Sequence, residues 1–331
     1  MAEQSSLGEF GAIAAYFAPL AGPEGLGLLD DAALYTPPPG QTLVLTKDAM
    51  VAGVHFFPDE SPMLVARKLA RVNLSDLAAM GAEPVGYLLA VAVPKDKAEY
   101  WMKGLAEGFA QVQMLLDWRL WGGDTVTTTG PVTLSMTAIG TVPEGQALRR
   151  SGARAGDRVF VSGTIGDAAL GLLQRQGKLG QLPQEAADFL RQRLCLPNPR
   201  LGLGVALRGL AHAAQDVSDG LAADLGHLAA ASGLAARITL ERIPQSAAAR
   251  EVMDSFPELK PQIFAGDDYE LLFTVAPDRV AAVAALSRDL NLALTDIGEM
   301  CDPATVDWTG VRLFHEDGSA AEEAIGGYRH F

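Results

Sequence analysis

A chain of 331 residues with 49% hydrophobic content can bury two ordinary cores, since domains usually span about 100 to 200 residues. Forty acidic residues against 26 basic ones give a formal charge of −14, which argues against nucleic acid or an anionic membrane as the main partner. The first ten residues, MAEQSSLGEF, are acidic and polar where a secretory signal is basic and then apolar. We therefore expect the protein to stay in the cytoplasm.

Hydropathy and cysteine content narrow the class further. The longest clearly apolar stretch, Val85 to Pro94, has about half of the roughly 20 residues that a membrane helix needs, so no membrane span is expected. Cys195 and Cys301 are too few and too far apart for a zinc site or a disulfide framework. We interpret both as buried thiols.

The first half of the chain alternates predicted strands and helices. Apolar spacing of three and four residues after Pro62 predicts a helix over 63–80, and a second helix is expected over about 96–116. Short apolar or β-branched runs predict strands at 42–46, 85–94 and 132–142. This half therefore reads β, α, β, α, β.

A polar, glycine-containing segment over 143–157 predicts a boundary near residue 145, between domains 1–145 and 146–331. The second half opens with the apolar strand VFVSG and ends its predicted pattern with a strand at 270–275. Helices are expected between them and after them, at 167–176, 184–194, 220–232 and 278–288.

Six short acidic clusters lie where an apolar run ends and a turn or helix begins. Any one of them alone is also explained as a helix cap or a turn. The clusters are Asp30 with Asp31; Thr46, Lys47 and Asp48; Asn73, Ser75 and Asp76; Gly122, Gly123 and Asp124; Asp216, Ser218 and Asp219; and Asp267 with Asp268.

Asn73 and Asp76 are three residues apart, which places both on one face of the predicted helix, among Leu, Ala and Gly. An isolated buried carboxylate would be costly there, and a bound cation would remove that cost. A capping role suits neither residue, because both lie several turns into the helix. We interpret this pair as a metal or ligand contact.

Two glycine-containing motifs supply further candidate ligand-binding residues. In GGDT at 122–125 the glycines let backbone approach a ligand, although a simple turn explains them equally well. In DVSDG at 216–220 a serine and free N–H groups before a helix suit a phosphate, and the acids suit its counter-ion; capping by Ser218 or Asp219 explains only part of the motif.

Acids and hydroxyls without a Cys/His set favour Mg²⁺ over zinc, and hence phosphate chemistry. The common phosphate loops are missing: Gly171 to Lys178 has the wrong spacing for a P-loop, and Gly25 to Asp30 fails the dinucleotide fingerprint. Magnesium-assisted transfer works mainly by positioning and electrostatics, so no phosphoenzyme is expected.

Taken in order, the motifs resemble the thiamine-monophosphate kinase family over essentially the whole chain. The pairing of NLSDLAAMGA with VSDGL is the most specific part of the resemblance. The matching stretches are GEFGAIAAYF, DDAAL, VAGVHF, KLARVNLSDLAAMGAEP, WGGDT, RRSGARAGD, PNPR, DVSDGLAADLGHL, GDDYELLFTV and GYRHF.

The resemblance implies a role for each matching residue. His55 and Asp267 would contact the acceptor, and ATP would lie against Gly123, Arg150 and Ser218, although Arg149 could replace Arg150. Thr46 would assist the acids that hold several Mg²⁺ ions, which are also the implied catalytic residues: Asp31, Asp48, Asp76, Asp124, Asp216 and Asp219.

The family's two-domain α+β and α/β fold would consist of a ferredoxin-like N-terminal half and an α/β C-terminal half. The N-terminal half, 1–145, would bind metal and the ATP phosphates and would dimerise through its sheet, as a shared sheet or barrel. The implied reaction is direct transfer of the ATP γ-phosphoryl group to thiamine monophosphate by a homodimer.

Three positions depart from the family pattern. Lys47 replaces a usual threonine, so the number of metal ions stays open; Leu29 replaces a usual glycine; and Ile325 stands where an aromatic residue often occurs. Sibling ATP-dependent synthases and a non-catalytic Mg-nucleotide-binding protein remain alternatives. Selenophosphate synthetase fits less well, because its reactive Cys lies near the N-terminus and the first Cys here is Cys195.

Overall fold

The computed structural model describes residues 8–321, with the side chains of residues 261–263 excepted. Within that range the chain forms two compact units. The N-terminal unit runs up to Leu77 and continues over Ala82–Gly145; the C-terminal unit takes in Ala78–Gly81 and the residues from Gln146 onward.

The N-terminal unit contains one mixed sheet and two long helices. Its helices and strands in chain order are α1 (Glu9–Ala12), β1 (Gln41–Val51), α2 (Pro62–Ala79), β2 (Glu83–Val93), α3 (Ala98–Gln113), β3 (Arg119–Thr127) and β4 (Thr133–Pro143), with short π or 3₁₀ segments at Ile13–Phe17, Ala18–Leu20, Pro23–Leu28 and Lys95–Lys97. The strand order is β1-β4-β2-β3; β2 and β3 are parallel, and the other pairs are antiparallel.

Alternation along the strands gives this sheet one buried and one exposed face. Leu89 and Met136 lie on the buried face, as does Tyr87, whose ring centroid is 5.7 Å from that of Phe109 in α3. The opposite face, which we call the open sheet face, carries partly exposed apolar side chains: Leu43, Leu45, Leu88 and Val126, with 39%, 63%, 40% and 48% of their surfaces exposed.

The helix predicted over 63–80 and the three predicted strands are confirmed, and each strand extends beyond its apolar run. The strand β3 was not predicted, because two adjacent glycines disfavour a strand reading of WGGDT. The resulting order βαβαββ differs from the βαββαβ order of a ferredoxin-like fold, so that term does not describe this topology.

The C-terminal unit is built on a six-stranded mixed sheet of order β10-β7-β9-β5-β8-β6. Its elements are β5 (Arg158–Ser162), α4 (Asp167–Arg175), α5 (Gln184–Cys195), α6 (Leu201–Ala206), β6 (Ala213–Asp216), α7 (Leu221–Ser232), β7 (Ala235–Thr239), α8 (Ala247–Ser255), β8 (Leu271–Val275), α9 (Val280–Asp289), β9 (Leu294–Cys301) and β10 (Val311–Phe314), with 3₁₀ turns at Leu240–Arg242, Pro257–Phe264 and Pro277–Arg279.

Both faces of this sheet are buried. Val159 and Val161 enter one hydrophobic core, whereas Phe160, between them, enters a second core and stacks on Phe273 at 5.6 Å. This explains why β5 and β8 contain the uninterrupted apolar runs VFV and LLF instead of an alternating pattern. The four predicted helices and the strand near 270 are confirmed, but β9 and β10 follow that strand and were missed.

None of the helices within residues 8–321 is both long and apolar enough to cross a membrane. The two cysteines carry no disulfide, and each is partly exposed, so the expectation that both are buried was wrong.

Candidate functional site

Thr46, Asp48 and Asp76 form what we call the N-terminal acidic group. Thr46 and Asp48 point to the helix-covered face of β1, and the Thr46 hydroxyl donates a hydrogen bond to the Asp76 carboxylate on α2. Burial, together with the charge of Asp76, raises the pKa of Asp48 to about 7. The group is therefore a place where a cation would be stabilised.

Asn73 holds this group in place. Its side-chain oxygen accepts the Asp48 N–H at 3.2 Å, and its amide nitrogen donates to the Leu69 carbonyl at 2.9 Å. The residue is fully buried. These contacts favour a role in tying β1 to α2 over the metal contact interpreted from the sequence.

Asp31 lies outside this group, in an exposed segment after Pro23–Leu28. Three consecutive residues before it, Leu26, Gly27 and Leu28, have φ values of 50°, 67° and 59°. Left-handed backbone is uncommon for leucine, so this approach to Asp31 is strained. Among the described residues, no hydrogen bond joins Asp31 to the N-terminal acidic group.

Asp124 lies at the opposite edge of the sheet from Asp48. The register aligns Ala49, Ser135, Ala90 and Asp124 in one row on the open sheet face. With three strand spacings between β1 and β3, Asp124 is about 14 Å from β1. Within one chain, Asp48 and Asp124 are therefore on different faces and different edges.

The same strand register also shows where Lys47 and Gly123 lie. Lys47 is exposed on the open sheet face, away from Asp48, so its ammonium turns out of the N-terminal acidic group. A Cβ at Gly123 would come 2.0 Å from the Leu89 carbonyl oxygen. The close approach of β2 and β3 therefore requires this glycine, which the sequence had assigned to ligand approach or to a turn.

His55 lies in the turn after β1, where its Nδ1 accepts the Val51 N–H at 3.1 Å. An accepting Nδ1 carries no proton, so the neutral ring has its proton on Nε2. The ring orientation is fixed by backbone, which suits a residue that donates to a ligand.

In the C-terminal unit, the DVSDG motif joins β6 to α7. Asp216 is buried at the end of β6, and Ser218 and Asp219 are half-buried. One oxygen of Asp224 accepts the N–H groups of Ser218, Asp219 and Gly220 at 3.0, 3.0 and 3.1 Å. An internal carboxylate therefore occupies these three N–H groups of the motif, whereas phosphate binding by the Ser218 hydroxyl stays a prediction.

Asp224 was not singled out from the sequence, although it follows DVSDG in the matching stretch. Burial, together with the charge of Asp219, raises the pKa of Asp224 to about 7 despite its three backbone donors. Its contacts fix the loop from which Ser218 and Asp219 project.

Asp267 is brought to the same loop. Its N–H donates to the Ser218 carbonyl at 2.8 Å, and its φ of 68° is left-handed. The structure therefore gathers Asp216, Ser218, Asp219 and Asp267 around one pair of loops. Asp267 is set in a conformation that marks functional positions more often than random ones.

Arg150 is exposed, and its carbonyl accepts the Ser232 hydroxyl at 3.2 Å. The neighbouring Arg149 is also exposed, and its carbonyl accepts the Ala214 N–H at 2.9 Å. Backbone contacts thus hold the segment, and both guanidinium groups keep an exposed position in the C-terminal unit.

An ionic network is centred on Glu270, three residues after Asp267. Glu270 is fully buried and is held by both Arg200 (2.6 and 2.6 Å) and Arg193 (2.8 Å), while the Ser162 hydroxyl donates to it at 2.6 Å. Sequence reasoning missed these residues. The available signal was Glu270, an acid next to the apolar strand LLFTV, and Arg200, which ends the PNPR stretch.

Within residues 8–321, leaving 261–263 aside, no three His, Cys, Asp or Glu side chains converge closely enough to hold one ion. The N-terminal acidic group supplies two carboxylates and one hydroxyl. This donor set fits Mg²⁺, which commonly takes one or two protein carboxylates and completes its shell with water and substrate phosphates.

Comparison with known proteins assigns both halves of the chain. Residues 29–142 match the N-terminal domain of AIR synthase related proteins, and residues 154–309 match their C-terminal domain. Thiamine-monophosphate kinase of Caulobacter vibrioides is 43% identical over 324 residues, which cover 96% of this chain and 90% of the relative.

Two solved structures of related proteins support the same family assignment. Thiamine-monophosphate kinase from Stenotrophomonas maltophilia is 44% identical, with a TM-score of 0.79 over 89% of this chain and 91% of the other. AaThiL complexed with AMPPCP and TMP is 29% identical, with a TM-score of 0.76 over 100% and 99%. The chain therefore belongs to the thiamine-monophosphate kinase family, within the AIR synthase related proteins.

Proposed function

We infer that the protein transfers the γ-phosphoryl group of ATP to thiamine monophosphate, which gives thiamine diphosphate and ADP. The observation that carries this inference is the 43% identity to a thiamine-monophosphate kinase over nearly the full length of both chains. The relative whose structure holds AMPPCP and TMP supports the two substrates.

The acceptor in this reaction is an oxygen of a phosphate group. A phosphate monoester is already largely ionised near pH 7, so the nucleophile needs no base to remove a proton. This agrees with a candidate site made of carboxylates and hydroxyls. We propose direct transfer, in which a phosphate oxygen of the acceptor forms a bond to the γ-phosphorus as the bond to the β-phosphate oxygen breaks.

We propose that Asp48 and Asp76, with Thr46, hold Mg²⁺. The raised pKa of Asp48 supports this, because two partly buried carboxylates share one neighbourhood and a cation would offset their repulsion. When bound, the ion would neutralise charge that develops on the phosphate oxygens. Further proposed magnesium ligands are Asp31, Asp124, Asp216 and Asp219.

We propose that the remaining candidates orient the substrates. Ser218, Gly123 and Arg150 are assigned to ATP: the first offers a hydroxyl, and the last an exposed guanidinium. His55 and Asp267 are assigned to the acceptor, where Asp267 suits a cationic ring and His55 a hydrogen-bond acceptor. Ile325, the position that departs from the family's aromatic residue, lies outside the described residues.

We further propose a homodimer that pairs the open sheet faces of two copies. Leu45 exposes 63% of its surface there, next to Leu43 and Leu88, and burial of such side chains is favourable. In such a pair, Asp124 at the β3 edge of one copy would face the β1 edge of the other. This would bring Asp124 toward the partner's edge strand β1, which carries Thr46 and Asp48 on its other face.

The test measures ADP and thiamine diphosphate from ATP and thiamine monophosphate, with and without Mg²⁺, and with thiamine as control acceptor. Thiamine diphosphate formed only with metal, and only from the monophosphate, is the expected result. ATP hydrolysis without acceptor phosphorylation would indicate a sibling enzyme, and ATP binding without turnover would indicate a binding protein; either result would contradict the proposal.

A further inference from the structure

The loop Gly266–Glu270, which we call the presenting loop, has an unusual backbone. Asp267 and Tyr269 have φ values of 68° and 53°, both left-handed. Aspartate tolerates this conformation better than most residues, but tyrosine does not, so the loop stores strain at Tyr269. Such strain persists only where surrounding contacts over-determine the backbone.

Asp268 and Glu270, which alternate with Asp267 and Tyr269 along the presenting loop, supply those contacts through buried side chains. Asp268 and Glu270 are buried; both carboxylate oxygens of Asp268 accept the Gly166 N–H at 2.9 and 3.1 Å. Glu270 is held by Arg193 and Arg200. Two anchored side chains thus flank Tyr269 and hold its backbone in the strained conformation.

The presenting loop is also bound to the DVSDG loop through backbone. The N–H groups of Asp267 and Tyr269 donate to the carbonyls of Ser218 and Val217 at 2.8 and 2.7 Å. A Cβ at Gly266 would come 2.4 Å from the Ser218 oxygen, so only glycine permits this approach. The position of Asp267 is therefore fixed relative to Ser218.

The side chain of Tyr269 contacts that of Asp267. The Tyr269 hydroxyl donates a hydrogen bond to the Asp267 carboxylate at 3.0 Å, and both side chains are half-buried. We propose that Tyr269 is a positioning residue of the acceptor site, whose hydroxyl fixes the orientation of the Asp267 carboxylate toward the bound acceptor. This rests on the proposed function, in which Asp267 contacts thiamine monophosphate.

The test compares Tyr269→Phe, Asp267→Asn and the double variant with the wild-type enzyme. Tyr269→Phe keeps the ring and the backbone but loses the hydroxyl, so we expect KM for thiamine monophosphate to rise by about three- to thirty-fold. KM for ATP and kcat should change less than twofold. The double variant should resemble Asp267→Asn alone, because in this proposal the hydroxyl acts on the acceptor through that carboxylate.

Tyr87→Phe is the matched control, since it removes a buried tyrosine hydroxyl that accepts from Gln113 at 3.1 Å in the N-terminal unit. It should leave KM for thiamine monophosphate unchanged. Additive effects of the two substitutions, or an unchanged KM in Tyr269→Phe, would overturn the inference. Wild-type enzyme without turnover would instead refute the proposed function, so the two failures are distinguishable.

Discussion

Single side chains in this protein take their roles from the face to which they point. Asp48 and Asp124 lie in adjacent rows of one sheet, yet the first turns toward α2 and the second toward the open sheet face. Asp76 comes from α2 and completes a pair of carboxylates with Asp48. Removal of one carboxylate therefore alters the charge of the group while its backbone stays in place.

Asp76→Asn should lower kcat by at least a hundredfold, because a neutral amide cannot offset the charge of a metal ion. Thermal unfolding should change little, since the amide can still accept the Thr46 hydroxyl. Steady-state ADP formation at several Mg²⁺ concentrations measures the effect. Asp117→Asn, at an exposed carboxylate paired with Arg119, is the matched control; near-normal turnover of Asp76→Asn would remove Asp76 from the metal site.

The positions of these acids could be predicted from the sequence because each follows an apolar run or lies in a helical pattern. Their orientations could not. The face to which Asp124 points depends on the pairing of β2 with β3, which two glycines concealed. The N–H groups after Val217 looked available for phosphate, because nothing local reveals that Asp224, one helical turn later, folds back onto them.

At the scale of elements, the presenting loop depends on two buried acids, Asp268 and Glu270, which differ in their contacts and in their tendency to be protonated. Glu270 is paired with two arginines, whereas burial raises the pKa of Asp268 well above its usual range. The raised pKa favours the neutral form of Asp268. The two acids beside Tyr269 therefore interact differently, Glu270 through ion pairs and Asp268 through the Gly166 N–H.

Glu270→Gln should destabilise the protein by about 3–5 kcal/mol, because it removes the buried carboxylate that two partly buried arginines share. Asp268→Asn should cost much less, since the raised pKa of Asp268 favours its neutral form and an amide oxygen can still accept the Gly166 N–H. Urea unfolding of the two variants compares them directly. Equal losses would contradict the assignment of different charge states.

The raised pKa of Asp268 makes the free energy of unfolding depend on pH. Because burial raises the pKa of Asp268 in the folded state, the folded chain binds more protons at this group than the unfolded chain does in the pH window above the usual pKa of an aspartate. This contribution makes the free energy of unfolding fall as pH rises through that window. The slope should be smaller in Asp268→Asn, measured by urea unfolding between pH 4.5 and 7; identical slopes would show that Asp268 is ionised in the fold.

At the scale of the whole molecule, the open sheet face is the surface through which we propose that two copies assemble. Four partly exposed apolar side chains share this face, and such a surface is costly in water. The resemblance implied dimerisation through the sheet of the N-terminal half, but the residues of the exposed face could not be identified from the sequence, because the pairing of β3 with β2 was not predicted. The two matched domain models and the two compact units agree on the architecture.

Leu45→Glu should convert the proposed dimer to a monomer, because the carboxylate would be buried without a partner in the dimer and is solvated in the monomer. Light scattering after gel filtration measures the mass. Leu115→Glu changes a leucine that is 72% exposed outside the sheet, and it should leave the mass unchanged. A Leu45→Glu protein that keeps the dimer mass would place the interface elsewhere.

The separation of Asp48 and Asp124 across one sheet has a consequence for genetics. If each site combines Asp48 of one copy with Asp124 of the other, two inactive variants can rescue each other. In a mixed dimer of Asp48→Asn and Asp124→Asn, one site carries both lesions and the other is intact. Cells that express both alleles should therefore recover about a quarter of wild-type activity, whereas cells with either allele alone should recover none.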